Sequence, residues 1–411
     1  MESWKRTYWA VWTANLITSI GMMSFLPFFP THLEHLGLTD PGLIATWAGV
    51  IYGAAPLSAA VMSPLWGALG DRYGRRLMVL RSLAAIAIFV GAMAFARTPW
   101  ELFALRILQG VFSGYIAPSL TLVSVAAPAS EQGRVTGSLQ TATAAGSVVG
   151  PALGGFLAVW VGLENVFLCV ALAALLSGVL VFMWAEEDPA HRRVAHGEIS
   201  AAHAVRGSWD DLRELWRNES LRASLFVVFW IQFGLGATNP ILELHVRDLL
   251  HADAHTLSMA TSLLFSGMAA LNLLSMPFWG RYGDRIGHAN ALVTCALWSG
   301  VLLFAHGLAP VFGVLLVARL AFGVAMAGSA PCSFGLAARE AAVDRRGGAF
   351  GIVFGVRTLA IAVSAMLGGW LSRYIGIRGL FLAGGAIVVW SALAMRAAAQ
   401  RRASLRSADA G

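Results

Sequence analysis

Residues 64–74 read Pro-Leu-Trp-Gly-Ala-Leu-Gly-Asp-Arg-Tyr-Gly, and residues 277–287 read Pro-Phe-Trp-Gly-Arg-Tyr-Gly-Asp-Arg-Ile-Gly. Seven of the eleven positions agree, and the two stretches lie 213 residues apart. The same offset pairs Pro27 with Pro240, His32 with His245, Arg106 with Arg319, Gly110 with Gly323 and Pro118 with Pro331. After a slip of one residue, Gly154-Gly155 meets Gly368-Gly369 and Phe167 meets Phe381. The chain is therefore two copies of one unit.

Of 411 residues, 57% are hydrophobic and only 12% charged, with a mean hydropathy of +0.68. That leaves too little polar surface for a soluble globule and places the chain in a bilayer. Twelve apolar stretches reach the ~20 residues needed to span hydrocarbon: 8–30, 43–66, 77–96, 100–125, 134–158, 164–184, 222–246, 257–279, 289–308, 311–337, 348–372 and 378–395. The expected fold is an all-α membrane protein of twelve transmembrane helices in two pseudo-symmetric six-helix bundles. Residues 1–184 form the first bundle, 185–221 a cytoplasmic linker, 222–395 the second bundle and 396–411 a basic tail without fixed structure. An apolar chain with such a duplication fits a transporter whose halves rock about a shared cavity.

The net charge of +7 invites a nucleic-acid reading, but the positions of the charges argue otherwise. Lys5 is the only lysine; with a cytoplasmic N-terminus, 22 of the 29 Lys and Arg residues fall on the cytoplasmic side. Four lie opposite and three inside helices, which is the positive-inside bias. Both termini are then cytoplasmic, the partner is the lipid bilayer and no nucleic acid is expected. The first helix has no small-residue cleavage site and is expected to stay. Near-exclusive use of arginine suggests a GC-rich bacterium, hence the bacterial cytoplasmic (inner) membrane. In the linker, Trp209, Leu212, Leu215 and Trp216 fall at helical spacing and suggest a short interfacial helix serving as a tether. Cys169, Cys295 and Cys332 lack metal-type spacing and read as small buried side chains.

The repeated loop falls between helices two and three and again between eight and nine. It resembles the signature of the major facilitator superfamily, Gly-x-x-x-Asp-Arg-x-Gly-Arg-Arg, complete as Gly67, Asp71, Arg72, Gly74, Arg75 and Arg76. The second copy keeps Gly280, Asp284, Arg285 and Gly287 but has His288 in place of the following arginine. The resemblance implies a conformational latch here, with Asp71 set against the N-terminal end of the eleventh helix near Gly347-Gly348. Helix five carries Gly146, Gly150, Pro151, Gly154 and Gly155, a bare face for close helix contact. In full it is similar to the antiporter motif of the superfamily's twelve-helix drug:proton exporters, and Leu26-Pro27-Phe28-Phe29-Pro30 in helix one resembles that branch's first-helix motif.

Arg106 begins Arg-Ile-Leu-Gln109-Gly110, matching a family pattern that implies a role near proton coupling. A membrane arginine costs about 2.5–3.5 kcal/mol on insertion scales and faces a wet cavity or a partner. Arg106 and Arg319 are also within snorkelling reach of the outer interface. Arg357 is too deep for that and reads as a cavity residue or a hydrogen-bonded structural one. Gln232, Gly236, Asn239 and Glu243 form one polar stripe on helix seven. With Asn15, Ser19, Met22, Gln140, Thr143, Ser147 and Asn272 the stripe is expected to line the cavity, interhelical hydrogen bonding being the alternative for each. Glu243 is the clear intramembrane carboxylate; Glu34, His32 and His245 are further candidates for the coupling proton.

No phosphate-binding lysine loop, metal cluster or nucleophile elbow occurs, so neither enzyme activity nor a cofactor or metal is expected. The reading is proton-coupled export of amphiphilic, drug-like small molecules by alternating access, the chain acting as a monomer. Met22, Phe25, Phe112 and Met326 would give adaptable contact. The alternative is a specific exchanger or carrier of an anionic metabolite, suggested by the three intramembrane arginines.

Overall fold

The computed structural model describes residues 3–128, 130–187, 218–340 and 346–409. Among them every regular element is a helix. In chain order these are α1 (Ser3–Phe25), a 3-10 turn (Leu26–Phe28), α2 (Phe29–His35), α3 (Pro41–Tyr73), α4 (Arg75–Met93), α5 (Pro99–Phe112), α6 (Ile116–Ala126), α7 (Gln132–Val161) and α8 (Leu163–Trp184). The second copy runs α9 (Glu219–Thr238), a 3-10 turn (Asn239–Ile241), α10 (Leu242–Leu250), α11 (Ala254–Ile286), α12 (His288–Leu308), α13 (Phe312–Met326) and α14 (Ser329–Glu340). A last helical stretch, Arg346–Asp409, is broken at Gly376 by non-helical φ 72°, ψ 167° into α15 (346–375) and α16 (377–409).

Among the described residues, eleven helical segments have the length and composition to cross a membrane. The last of them, Gly348–Ala398, has 51 residues, and the break at Gly376 makes it two spans, giving the expected twelve. The duplication governs the backbone as well as the sequence. The 3-10 turns at 26–28 and 239–241 are 213 residues apart, as are α3 and α11, each 33 residues long. Pro27 and Pro240 explain the turns, because neither can donate to a regular α-helical ladder. Gly74 (φ 104°) and Gly287 (φ 90°) end those long helices in a conformation that a side chain resists. The one-residue slip appears where α7 begins, so that Gly162 (φ 83°) matches Gly376 at an offset of 214.

Large apolar side chains face outward along α8, where Leu172 is 57% and Phe182 65% exposed. Water does not favour such a face and lipid does. Cys169, expected to be buried, is exposed on this helix, while Cys295 and Cys332 are buried. The last helix continues to Asp409, so the basic tail expected to lack structure begins as helix. The interfacial helix read from Trp209 to Trp216 lies outside the described residues.

Packing divides the described residues into two units. The first takes its members from Met1–Asp40, Val50–Arg206 and Ala252–Ser266; the second from Pro41–Gly49, Gly207–His251 and Gly267–Gly411. Long helices α3 and α11 therefore each contribute their first turns to one unit and their remainder to the other.

Candidate functional site

In the first unit the four motif glycines of α7 lie where any side chain would collide. A Cβ at Gly146 would strike Ser19, at Gly150 Met23, at Gly154 the Ser24 carbonyl and at Gly155 Ser262. Three of these neighbours belong to α1, so the bare face expected from the motif is filled by backbone and small side chains of that helix. Pro151 leaves its carbonyl to accept from Ser262 Oγ at 2.9 Å, and Gly155 O accepts from Ser258 Oγ at 3.2 Å. Gly368 and Gly369 repeat the arrangement in the second unit against Ala237 and Ala45.

Arg106 is 2% exposed and does not snorkel. Its Nε–H donates to Ile51 O at 3.1 Å, one terminal nitrogen to Gln109 Oε1 at 2.6 Å and the other to Tyr52 O at 3.3 Å. Phe25 and Phe29 present their rings to the guanidinium at 5.9 and 5.6 Å, a favourable cation–π distance. Gln109 also donates to Met22 Sδ at 3.4 Å. Arg106, Gln109 and Met22 thus form one cluster, with Phe167 touching both Phe25 and His32. His32 is 1% exposed and neither ring nitrogen has a hydrogen-bond partner among the described residues.

Asn15 is buried, but Gln140 is exposed, and Thr143 turns back to the Leu139 carbonyl. Glu34 is half-buried. The structure does not gather these four into the Arg106 cluster.

In the second unit the symmetry-related Arg319 is wholly buried and likewise does not snorkel. It donates to Asn239 Oδ1 at 2.6 Å, joining α13 to the 3-10 turn that interrupts span seven. The stripe residues Gln232, Asn239 and Glu243 are all buried, Glu243 in the first turn of α10. His245 lies on the same short helix; its Nε2–H donates to the His306 carbonyl at 3.1 Å. Phe381 stacks on His306 and touches His245, both centroids at 5.4 Å. His306 did not emerge from the motifs. The signal that could have found it is its place in span nine, a histidine where the repeat has Met93.

Asn272 donates to Gly323 O at 3.1 Å, and Arg357 to Ser329 Oγ at 2.9 Å. Both contacts join helices of the second unit, the first of them one turn from Arg319 on α13.

The two loop copies differ as well. In the first, the N–H groups of Arg75 and Arg76, at the start of α4, donate to the two carboxylate oxygens of Glu187 at 2.7 and 3.1 Å. An acceptor at a helix N-terminus meets both orphan donors and the positive end of the dipole. Arg76 also donates to the Phe182 carbonyl, and Arg72 lies over the Tyr73 ring at 5.4 Å. Glu187 is a residue that the motif alone does not reveal. In the second copy Asp284 pairs with Arg339 at 3.3 Å and faces His288 at 3.5 Å. Gly67 and Gly280 have open space where a Cβ would stand, and so does Gly287, where positive φ rather than crowding resists a side chain. Among the described residues no group of His, Cys, Asp and Glu could hold a metal ion.

Comparison with known proteins gives three results. The sequence profile of the Major Facilitator Superfamily matches residues 11–237 and again 224–410. The multidrug resistance protein MdtG of Serratia proteamaculans (strain 568) is 30% identical over 401 residues, covering 97% of this chain and 95% of that protein. MdtG of Citrobacter koseri is 29% identical over 392 residues, 95% and 94% of the two chains. Among solved structures, an inward-facing bacterial homologue of the human lysosomal transporter Spinster superposes with a TM-score of 0.79 at 11% identity, covering 97% of each chain.

Proposed function

The chain belongs to the major facilitator superfamily and is a multi-pass secondary transporter of small molecules rather than an enzyme; on that premise we propose that it exports drug-like amphiphiles in exchange for protons. The observation that carries the proposal is the buried titratable stretch of span seven, Glu243 and His245 at 2% and 1% exposure, in a chain matched end to end by multidrug resistance proteins. A buried ionisable group in a membrane is costly unless it has work to do. One charge moved down a potential of about 100 mV yields ~2.3 kcal/mol, enough to drive solute uphill when coupled.

In this reading the chain lies in the bacterial cytoplasmic membrane as a monomer with both termini inside. Residues 1–184 and 222–395 are its two functional halves, each containing half of the latch. Gly67, Asp71, Arg72, Gly74, Arg75 and Arg76, with Gly280, Asp284, Arg285 and Gly287, bias the choice between inward and outward states. The glycine face of α7 holds span five rigidly on span one. Asn15, Met22, Gln140, Thr143, Gln232, Asn239 and Asn272 supply polar and adaptable contact to the solute. The alternative of an anion exchanger draws on Arg106, Arg319 and Arg357. Each of these guanidiniums already donates to a protein acceptor, which weighs against their serving as anion receptors.

The test is uptake of a panel of cationic and neutral dyes into inverted membrane vesicles, with and without a pH gradient. Proton-driven export predicts accumulation that an uncoupler collapses. No gradient-dependent movement of any dye overturns it, and uncoupler-insensitive uptake of organic anions, lost in Arg357→Ala, establishes the alternative.

A further inference from the structure

We infer that His306 is a proton-carrying residue of the second unit, acting with His245 against the fixed charge of Arg319. The inference rests on the proton-driven reading above and assigns that reading a specific atom, Nε2 of His306.

His306 sits in the last turn of α12 and has no exposed surface. Its Nδ1 approaches the Leu302 carbonyl at 2.6 Å. A carbonyl can only accept, so Nδ1 carries the hydrogen and Nε2 is left as the bare, basic nitrogen of the neutral ring. That Nε2 is buried and has no hydrogen-bond partner among the described residues. A histidine kept for packing alone is ordinarily satisfied at both nitrogens, and a buried polar atom without a partner calls for a reason. The ring is also held firmly: it stacks on Phe381 at an interplanar angle of 17° and meets the edge of Phe322 at 5.7 Å.

The surroundings give the proton something to push against. Arg319 lies on α13, its guanidinium 6.0 Å from the Phe322 ring that the His306 imidazole also touches. Short helix α10, which meets His306 through His245, also carries Glu243, Arg247 and Asp248, and Arg378 on α16 lies within electrostatic reach of His245. His245 feels both Asp248 and Arg378 and donates to the backbone of His306. A proton arriving at Nε2 turns an acceptor into a donor and sets a second cation beside Arg319. In a low-dielectric interior, like charges at this range repel strongly. Arg319 is tied to Asn239 at the break in span seven, so the repulsion bears directly on the segment that carries the polar stripe.

The reaction is simple in its balance. Water on one side gives a proton to Nε2, and in the other conformation Nε2 returns it to water on the opposite side; no bond to carbon changes and no electron moves. With both termini cytoplasmic, the end of α12 lies on the outer side, where the driving protons originate. The first unit has no such wiring, since Met93 stands where His306 does and Leu26 where Asn239 does.

The test uses the full chain, labelled with nitrogen-15 at histidine, and the same protein in liposomes with ethidium as the probe. The imidazole resonance absent from His306→Gln should respond to pH in the wild type, and should respond differently in Arg319→Gln, where the neighbouring cation is lost. Accumulation of ethidium driven by a pH gradient should fall at least ~10-fold in His306→Gln, while equilibration without a gradient stays within about 2-fold. If the glutamine variant does not fold, His306→Met, the residue of the first unit, replaces it. A resonance that ignores pH, or a variant that still accumulates ethidium like the wild type, overturns the assignment. A wild type without gradient-driven accumulation overturns proton-driven export of this probe, and the titration then decides on His306 by itself.

Discussion

The two units use one backbone plan to hold a buried arginine in two ways. In the first, Arg106 is held by the carbonyls of Ile51 and Tyr52 and by Gln109 on its own helix. In the second, the position of Gln109 is Phe322, and Arg319 instead reaches Asn239, which stands where the first unit has Leu26. The acceptor has moved from the arginine's own helix to the break in span seven. One arrangement fastens helices together; the other attaches a charge to a segment with a buried carboxylate and a buried histidine, His245, that meets His306. A duplicated fold thus gives scaffold to both halves and leaves titratable chemistry concentrated in one.

The comparison holds only if the shared scaffold is equally intolerant on both sides. Gly154→Val and Gly368→Val should each abolish or severely reduce folded protein, because the added atoms would enter the backbone of α1 and α9 respectively. Overpacking of this kind costs ~1–3 kcal/mol and more where backbone blocks relaxation. Yield and thermal melting of the purified variants measure it. If either variant melts like the wild type, the two halves are not built on the same contact.

The arginine wiring should separate the halves. Gln109→Ala removes an acceptor from a buried guanidinium and should lower stability by about 1.5–3 kcal/mol. Asn239→Ala should reduce gradient-driven transport more than stability, since it releases Arg319 from span seven. The sharper version transplants one arrangement into the other half: Leu26→Asn should recover stability lost in Gln109→Phe. Failure of that rescue would mean that geometry around Arg106, not merely an acceptor's presence, sets the first arrangement.

The duplication was legible because it acts through backbone rules. Prolines at 27 and 240 and glycines at 74 and 287 impose turns that any reading of spacing can place. The bare face of α7 was legible for the same reason, glycine spacing being a direct statement about volume. What stayed hidden depends on pairings across distant sequence. Glu187 serves α4 from 111 to 112 residues away, and His306 meets His245 across 61. Neither has a local pattern, and neither is repeated in the other half. For Arg106 and Arg319 the sequence left an inward partner and snorkelling both open, because depth along a helix does not give orientation; both side chains turn inward.

A smaller difference lies in the loops. Glu187 caps α4 at Arg75 and Arg76, whereas the repeat puts Arg401, a residue that cannot accept, at the corresponding position. Glu187→Gln should cost ~0.3–1 kcal/mol at low salt, less at high salt, by weakening the interaction with the α4 N-terminus. Melting temperature as a function of ionic strength checks it. A cost independent of salt would make the contact a neutral hydrogen bond and remove charge from the contrast.

The smallest effect belongs to the loop before α11. Asp253 accepts from Thr256 Oγ1 at 2.7 Å and from the His255 N–H at 3.2 Å. The Thr256 hydroxyl, above all, holds this carboxyl below its ordinary value of 3.8. A carboxylate favoured by the fold contributes stability that is present above that value and is lost as pH falls through the lower folded one. Asp253→Asn and the wild type should therefore differ slightly at neutral pH and converge in acid, below about pH 4. The first half has Asp40 at the equivalent position but Leu43, which has no hydroxyl, in place of Thr256. Thr256→Leu, which gives the second half the residue of the first, should therefore weaken the pH dependence seen with Asp253. An unchanged dependence in Thr256→Leu would show that the helix terminus itself depresses the carboxyl of Asp253, and that the threonine adds nothing of its own.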